Sequence, residues 1–246
     1  MVGFITDVGN IRSVNEDYLE IYEDEEKSIY VVADGMGGHN AGEIASKLAT
    51  DTIVTYIKET DIEYPEYVLR SAIKAANERV YNYSLSSNNL NGMGTTITAC
   101  LIIKDKVFIG NVGDSGCFIL NGNDIKKVTK DHSLVQELLD EGSITEEEAK
   151  NHPNKNIITR AIGTKEEVLT DIYKLEKNDF QHILLCTDGF TNEVSSSEIV
   201  SLVNSSEDYK DFCMRAIELV KTRGARDNIS LIIVGGESYD DRNCTR

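Results

Sequence analysis

Residues 95–120, TTITACLIIKDKVFIGNVGDSGCFIL, decide the fold. Thr95 to Ile103 and Val107 to Val112 are apolar runs dense in β-branched residues, and only Lys104-Asp105-Lys106 separates them. A connection that short joins antiparallel strands, because a parallel partner needs a crossover of about a dozen residues or more. Another apolar run, Cys117 to Leu120, follows Gly113-Asp114-Ser115-Gly116. Strands in hairpin succession argue against a doubly wound parallel sheet.

Outward from this meander, Ser28 to Ala33, His182 to Thr187 and Ile229 to Val234 also read as strands. Helical stripes lie between them: Ala45, Leu48, Ala49, Ile53, Tyr56 and Ile57, then Leu69, Ile73, Ala76, Val80 and Tyr83, and finally Tyr209, Phe212, Cys213, Ala216, Ile217 and Val220. Pro65 falls where the first turn of the second helix would be. The pattern predicts an α+β fold with sheets packed face to face and helices outside. No repeat, low-complexity tract or linker interrupts residues 1–246, so a single domain is expected. Residues 131 to about 170 differ, with a short helical pattern at Leu134, Val135, Leu138 and Leu139, a capping box Thr145-x-x-Glu148 and polar NHPNKN. They read as an inserted flap. The polar tail, Ser238 to Arg246, is expected to fray.

The chain has 246 residues, 40% apolar and 27% charged, enough for one sizeable core. Its net charge of −17 repels a phosphate backbone or an anionic membrane, so neither nucleic acid nor membrane is an expected partner. MVGFITDVGN carries no basic segment followed by an apolar run, and no stretch of about 18 apolar residues occurs anywhere. A cytoplasmic chain is expected. The five cysteines are odd in number and lack C-x-x-C pairing, which fits reduced thiols.

Three strand candidates end alike, in an acid: IYVVAD at Asp34, FIGNVGD at Asp114 and ILLCTD at Asp188. Asp227, beside Asn228, stands just before the last strand. One such acid is commonly a turn former. Recurrence implies more: strand ends that converge bring these carboxylates into mutual repulsion, which a bound cation relieves. Oxygen-only donors select Mg²⁺ or Mn²⁺, and Gly35 and Gly189 after two of the acids would let a backbone carbonyl approach a metal. Arg12, preceding Glu16 and Asp17, offers the forked donor that a phosphoryl group accepts. Metals plus an arginine point to a phosphoester substrate.

These residues fall in an ordered series: Thr6-Asp7-x-Gly9-x-x-Arg12-x-x-Asn15-Glu16-Asp17, VADGMGGHNAGE (32–43), MGTT (93–96), GDS (113–115), KDHSLVQELLDEG (130–142), NIITRAIG (156–163), CTDGF (186–190) and ARDNIS (225–230). The series resembles the bacterial branch of the metal-dependent type 2C, or PPM, Ser/Thr protein phosphatases, over nearly the whole chain. The resemblance implies a four-layer αββα sandwich of two mixed, mainly antiparallel sheets with an inserted flap. It implies phosphoric monoester hydrolysis by direct attack of a metal-bridging hydroxide, with about two to three Mn²⁺ or Mg²⁺ ions per chain. By position, Asp34 matches the bridging carboxylate and Gly35 the glycine whose carbonyl binds one ion. Asp188 and Asp227 match the remaining direct ligands, and Asp114 the holder of a third ion. Glu16 and Asp17 match carboxylates that orient metal-bound water, Arg12 matches the phosphate clamp, and Thr95 and Thr96 support the site. Implied partners are phosphorylated proteins, substrates of a cognate bacterial Ser/Thr kinase in signalling, met by a monomeric enzyme.

The chain departs from that pattern at Met36, where the eukaryotic branch has a histidine assigned as general acid, and at Gly116, where many bacterial members have arginine. His39 is read as a structural hydrogen bonder, and His132, His152 and His182 share no ligand spacing. GDSG at 113–116 imitates a serine-protease nucleophile but lacks its context, and Gly35-Met-Gly37-Gly38 completes neither a dinucleotide loop nor a P-loop. The competing functions are a catalytically inactive phospho-binding module of the same fold and a small-molecule phosphoester phosphatase.

Overall fold

The computed structural model describes residues 1–38, 41–150 and 152–235, so His39 and the tail from Ser238 lie outside the described residues. The chain begins β1 (Val2–Asp7), β2 (Asp17–Glu23), β3 (Lys27–Met36), α1 (Ala41–Glu59), α2 (Pro65–Ser84), β4 (Gly94–Thr95), β5 (Ile97–Ile103), β6 (Lys106–Val112), β7 (Gly116–Asn121) and β8 (Asp124–Lys127). It continues α3 (Leu134–Asp140), α4 (Glu146–Lys150), β9 (Asp171–Glu176), β10 (His182–Cys186), α5 (Asp188–Thr191), α6 (Ser196–Ser205), α7 (Tyr209–Thr222) and β11 (Ile229–Gly235).

One sheet has the order β1-β11-β10-β7-β8 and the other β2-β3-β5-β6-β9, with β4 paired to β3. Every strand pairing among the described residues is antiparallel. Alternation along each strand then builds the layers. On β3, Ile29, Val31 and Ala33 pack with α1 and α2, while Tyr30 and Val32 face the other sheet. On β11, Ile229, Leu231 and Ile233 pack with α5 to α7, while Ile232 and Val234 turn inward. The middle layer, with Cys100, Ile109, Ile183 and Leu185, is buried and apolar. Helices, sheet, sheet, helices is therefore the stacking order.

The runs that read as strands became β3, β5, β6, β7, β10 and β11, and the three stripes became α1, α2 and α7. Pro65 opens α2, and Thr145 and Glu148 exchange the expected hydrogen bonds at the start of α4. Sequence reading missed β1, β2, β8 and β9. These are the edge strands, and DYLEIYE, DIKK and DIYKLE carry the charges that edges use to stay solvated. It also missed α6, whose capping box pairs Ser195 with Glu198.

The segment after α4 is sewn back onto the body. Ile162 and Thr95 exchange backbone hydrogen bonds of 2.9 and 3.1 Å. Asn77, buried on α2, accepts from the Gly163 amide (2.8 Å) and donates to the Lys165 (3.1 Å) and Glu166 (2.9 Å) carbonyls. Asn77→Ala strands a buried N–H and should lower the unfolding free energy by about 3 kcal/mol. Urea titration measures it, and a loss below about 1 kcal/mol would show that the anchor matters little.

Candidate active site

Loops from both sheets meet at one rim. β3 delivers Asp34, the β6–β7 turn Asp114, and the start of α5 Asp188; Asp227 precedes β11, and the β1–β2 loop carries Arg12 and Glu16. All six line one cleft of about 270 Å³, with Gly35 and Met36 beside them. Asp17 does not line it. It lies buried beneath, opposite Asp34 in the β2–β3 register, with Oδ2 accepting from Thr187 Oγ1 (2.8 Å) and Oδ1 without a hydrogen-bond partner.

The backbone around Asp34 is fixed from both sides. Its N–H donates to Thr96 Oγ1, and its carbonyl accepts from the Thr96 N–H and Thr95 Oγ1, each at 2.9 Å. A Cβ on Gly35 would sit 2.2 Å from the Gly42 carbonyl oxygen, and one on Gly189 only 1.9 Å from that of Asn228. Glycine follows each acid because another backbone already occupies the space of a side chain.

Electrostatically this arrangement is uncomfortable when it holds no cation. Asp34 is raised well above the ordinary carboxylate range by burial and by Asp17, Asp188 and Asp114. Burial also raises Asp188, joined by repulsion from Asp227, although its carboxyl is within hydrogen-bonding reach of Asp34. Asp17 and Asp114 are pushed up to about 7, again by burial first. Glu16 is raised by burial, partly offset by Arg12 and the Gly42 amide. Among the described residues Arg12 is the only cationic side chain lining the cleft; its Nη2 lies 2.9 Å from Asp227 Oδ2. Among the described residues no acidic or histidine cluster is closed into a ready-made cage. Crowded carboxylate oxygens whose repulsion Arg12 relieves only at Asp227, above a buried Asp17 with an orphaned oxygen, fit hard divalent cations.

Several supporting residues escaped the sequence. Asn228 Oδ1 accepts from the Glu16 N–H (2.8 Å), while its Nδ2 donates to the Val8 and Val14 carbonyls (both 3.0 Å), fastening the Arg12 loop to β11. Its place beside Asp227 was the available signal. Where the resemblance leads one to expect arginine at 116, a Cβ would meet Phe118 at 2.9 Å and the Lys127 stem at 3.3 Å. Lys127 crosses from β8, pairs with Asp131 and lowers Asp114 electrostatically, so the positive charge near Asp114 comes from another strand. His132 is structural: Nδ1 accepts from the Gly113 N–H (3.0 Å), which leaves the proton on Nε2, 3.2 Å from Asp171 Oδ2. Ser115 is fully buried, with its hydroxyl 2.7 Å from that of Thr96, so GDSG presents no nucleophile.

Known proteins share this architecture. The chain is 39% identical over 236 residues to the serine/threonine phosphatase stp of Listeria welshimeri, covering 94% of each. Its fold superposes with a TM-score of 0.91 on serine/threonine phosphatase Stp1 from Staphylococcus aureus, at 35% identity over 96% of this chain and 94% of that one. The catalytic domain of the serine threonine protein phosphatase PstP, solved in complex with 2 manganese ions, matches with a TM-score of 0.82 at 31% identity, over 95% of this chain and 96% of that one. Residues 11–231 match the protein phosphatase 2C family model, and the chain belongs to that family.

Proposed function

We propose that this protein is a metal-dependent phosphatase that removes phosphate from phosphoserine and phosphothreonine in proteins. The observation that carries the reading is the meeting of Asp34, Asp114, Asp188 and Asp227 in one cleft with Arg12 at its side. Asp34, Asp188, Asp227 and the Gly35 carbonyl would hold two ions, Mn²⁺ or Mg²⁺, with Asp114 holding a third. When bound, such ions acidify water and offset the negative charge of a phosphoryl group.

The chain's own groups divide the remaining work. The Arg12 guanidinium offers paired N–H donors to phosphoryl oxygens, which a carboxylate-lined cleft otherwise repels. Glu16 and the buried Asp17 orient water within the site. Met36 lines the cleft and carries no exchangeable proton, so the leaving alkoxide is protonated by water. Residues 131 to about 170 act as a flap on a single domain, a role supported by Asn156 and Ile158 lining the cleft. The substrates are products of a cognate bacterial Ser/Thr kinase, and the enzyme works as a cytoplasmic monomer. No helix among the described residues is long and apolar enough to cross a membrane.

Mn²⁺-loaded protein should hydrolyse a phosphothreonine peptide with a higher kcat/KM than p-nitrophenyl phosphate or a sugar phosphate, and Asp34→Asn should abolish turnover. Chelator-stripped protein that keeps its rate would overturn metal dependence, and a preference for sugar phosphates would overturn the protein substrate. Arg12→Ala should raise KM for the peptide by about tenfold while kcat falls less, with Arg12→Lys restoring only part, because an ammonium lacks the fork. An unchanged KM would remove Arg12 from phosphate binding.

Asp17 and Asp114, ordinary carboxylates when unfolded, are pushed up to about 7 by burial in the folded chain. The folded state therefore holds more protons across this window, and metal-free stability falls as pH rises through it. Glu20, burdened by burial and by Asp51 outside the cleft, is pushed up to about 7 and adds to the same slope. The site is read from the metal-dependent part. Calorimetry should give a Mn²⁺-induced rise in Tm that is larger at about pH 8 than at about pH 5.5 and small in Asp34→Asn. A rise independent of pH would contradict the carboxylate assignment.

A further inference from the structure

A smaller cavity of about 250 Å³ opens beside the catalytic cleft and shares Asn156 and Asp227 with it. Its other walls include Lys155, Asn192, Glu193 and Arg226. Among the described residues the main cleft has one cation among many acids, whereas this neighbour concentrates two, on a chain whose net charge is −17.

Lys155 contributes to the field at Asp188, but its charge is not consumed there. Among the described residues, Lys155 and Arg226 form no ion pair. Lys155 Nζ donates only a long hydrogen bond, 3.3 Å, to Asn192 Oδ1. Asn192 Nδ2 in turn donates to Asp188 Oδ2 at 3.0 Å, so the cavity wall is tied to the catalytic carboxylates. The exposed Arg226 stands between buried Ala225, whose carbonyl accepts from the Asn10 N–H (2.8 Å), and buried Asn228. Its backbone is thereby fixed while its side chain stays available.

Two acids face the same space. Asp227 is engaged by Arg12 at 2.9 Å. Arg223 donates to the Glu193 backbone carbonyl but pairs its charge with Glu198. Asp227 thus has its cationic partner outside the cavity, and Lys155 and Arg226 outnumber the remaining acid, Glu193.

We propose that this cavity is a substrate subsite for an anionic group, a carboxylate or a second phosphate, carried within a few residues of the phosphorylated side chain. The proposal rests on the reading of the cleft as a phosphoprotein phosphatase site. An extended peptide advances about 3.3–3.6 Å per residue, so a chain whose phosphoresidue enters the cleft passes the shared wall at Asn156 and Asp227 within a few positions. A guanidinium binds carboxylate or phosphate through its fork, and an ammonium adds a movable point charge. The enzyme therefore selects acidic or multiply phosphorylated segments, and basic flanks are repelled.

The test is kinetic and uses the Mn²⁺-loaded full chain with phosphothreonine peptides that differ only in flanking residues: alanine, glutamate, lysine or a second phosphothreonine. Ratios between peptides are read within each variant, so a general loss of activity cancels. Wild type should show kcat/KM about tenfold higher for the glutamate than for the lysine peptide, with the gap shrinking as salt is raised. Lys155→Gln with Arg226→Gln should bring the ratio near one, and Lys155→Glu with Arg226→Glu should invert it. Discrimination that survives the double glutamine change would overturn the subsite. A gain for the second phosphothreonine beyond that for glutamate identifies phosphate as the preferred anion, and equal gains identify any anion. Binding of the same peptides to Asp34→Asn protein, followed by fluorescence anisotropy, separates the two failures. If no peptide is turned over yet glutamate peptides bind about tenfold tighter than lysine ones, the protein-phosphatase reading falls and the subsite stands; equal affinities overturn the subsite.

Discussion

Like charges forced together by hydrogen-bonded backbone are the constraint on which the rest of this structure depends. The Asp34 backbone cannot move away from Asp188, because its peptide is clamped by Thr95 and Thr96 and its neighbour Gly35 is pinned between the Gly42 and Glu16 backbones. Asp17 cannot turn out to water, because Thr187 and the sheet above enclose it. The fold therefore carries an unfavourable electrostatic term that a divalent cation would remove, and binding and stability become linked through the same carboxylates. A looser site would bind cations at a greater ordering cost.

The buried apolar layer between the sheets is what permits such a clamp. Tyr30, Val32, Cys100, Ile109, Ile183, Leu185, Ile232 and Val234 bury one face of both sheets. Flanking helices bury the other faces, with α1 and α2 on one side and α5 to α7 on the opposite one. With the strands fixed by packing, loops at one end inherit their positions. Asn228 then carries order from β11 into the Arg12 loop, and His132 carries it from the Gly113 turn to Asp171, which Arg160 also holds. Polar groups do the positioning where the apolar core ends.

Buried strands and helices were legible because a residue sequence that must satisfy two apolar neighbours has few alternatives, as in Ile29 to Ala33 or Ile229 to Val234. The edges were not, because β2, β8 and β9 are written in charged residues that suit a loop equally well. The candidate acids stood out through their repetition at strand ends. What supports them did not: Lys127 reaches the vicinity of Gly116 only through the β7–β8 register that sets it opposite Phe118. Asn77 looked like one more polar residue in a helical stripe, and its role appears only when the chain returns from residue 163 to 166. Arg226 stood in plain view beside Asp227, yet a sequence gives no sign of which side of a ligand a cation will face.

Charge at a distance and charge at contact act differently here. At physiological ionic strength the Debye length is about 8 Å, so the chain's overall excess of acid weakly opposes an approaching phosphoprotein while local groups decide its docking. A metal-free cleft is hostile to a phosphate dianion, and metal occupancy reverses that locally without altering the remaining surface. Cations placed at the cleft itself would quench the carboxylates that metals require, as Arg12 already does in part with Asp227. In the proposed subsite, cations held one cavity away, at Lys155 and Arg226, would attract an anionic flank while leaving Asp34 and Asp114 free to hold ions. The separation of the two cavities thus resolves a conflict that a single acidic or basic pocket could not.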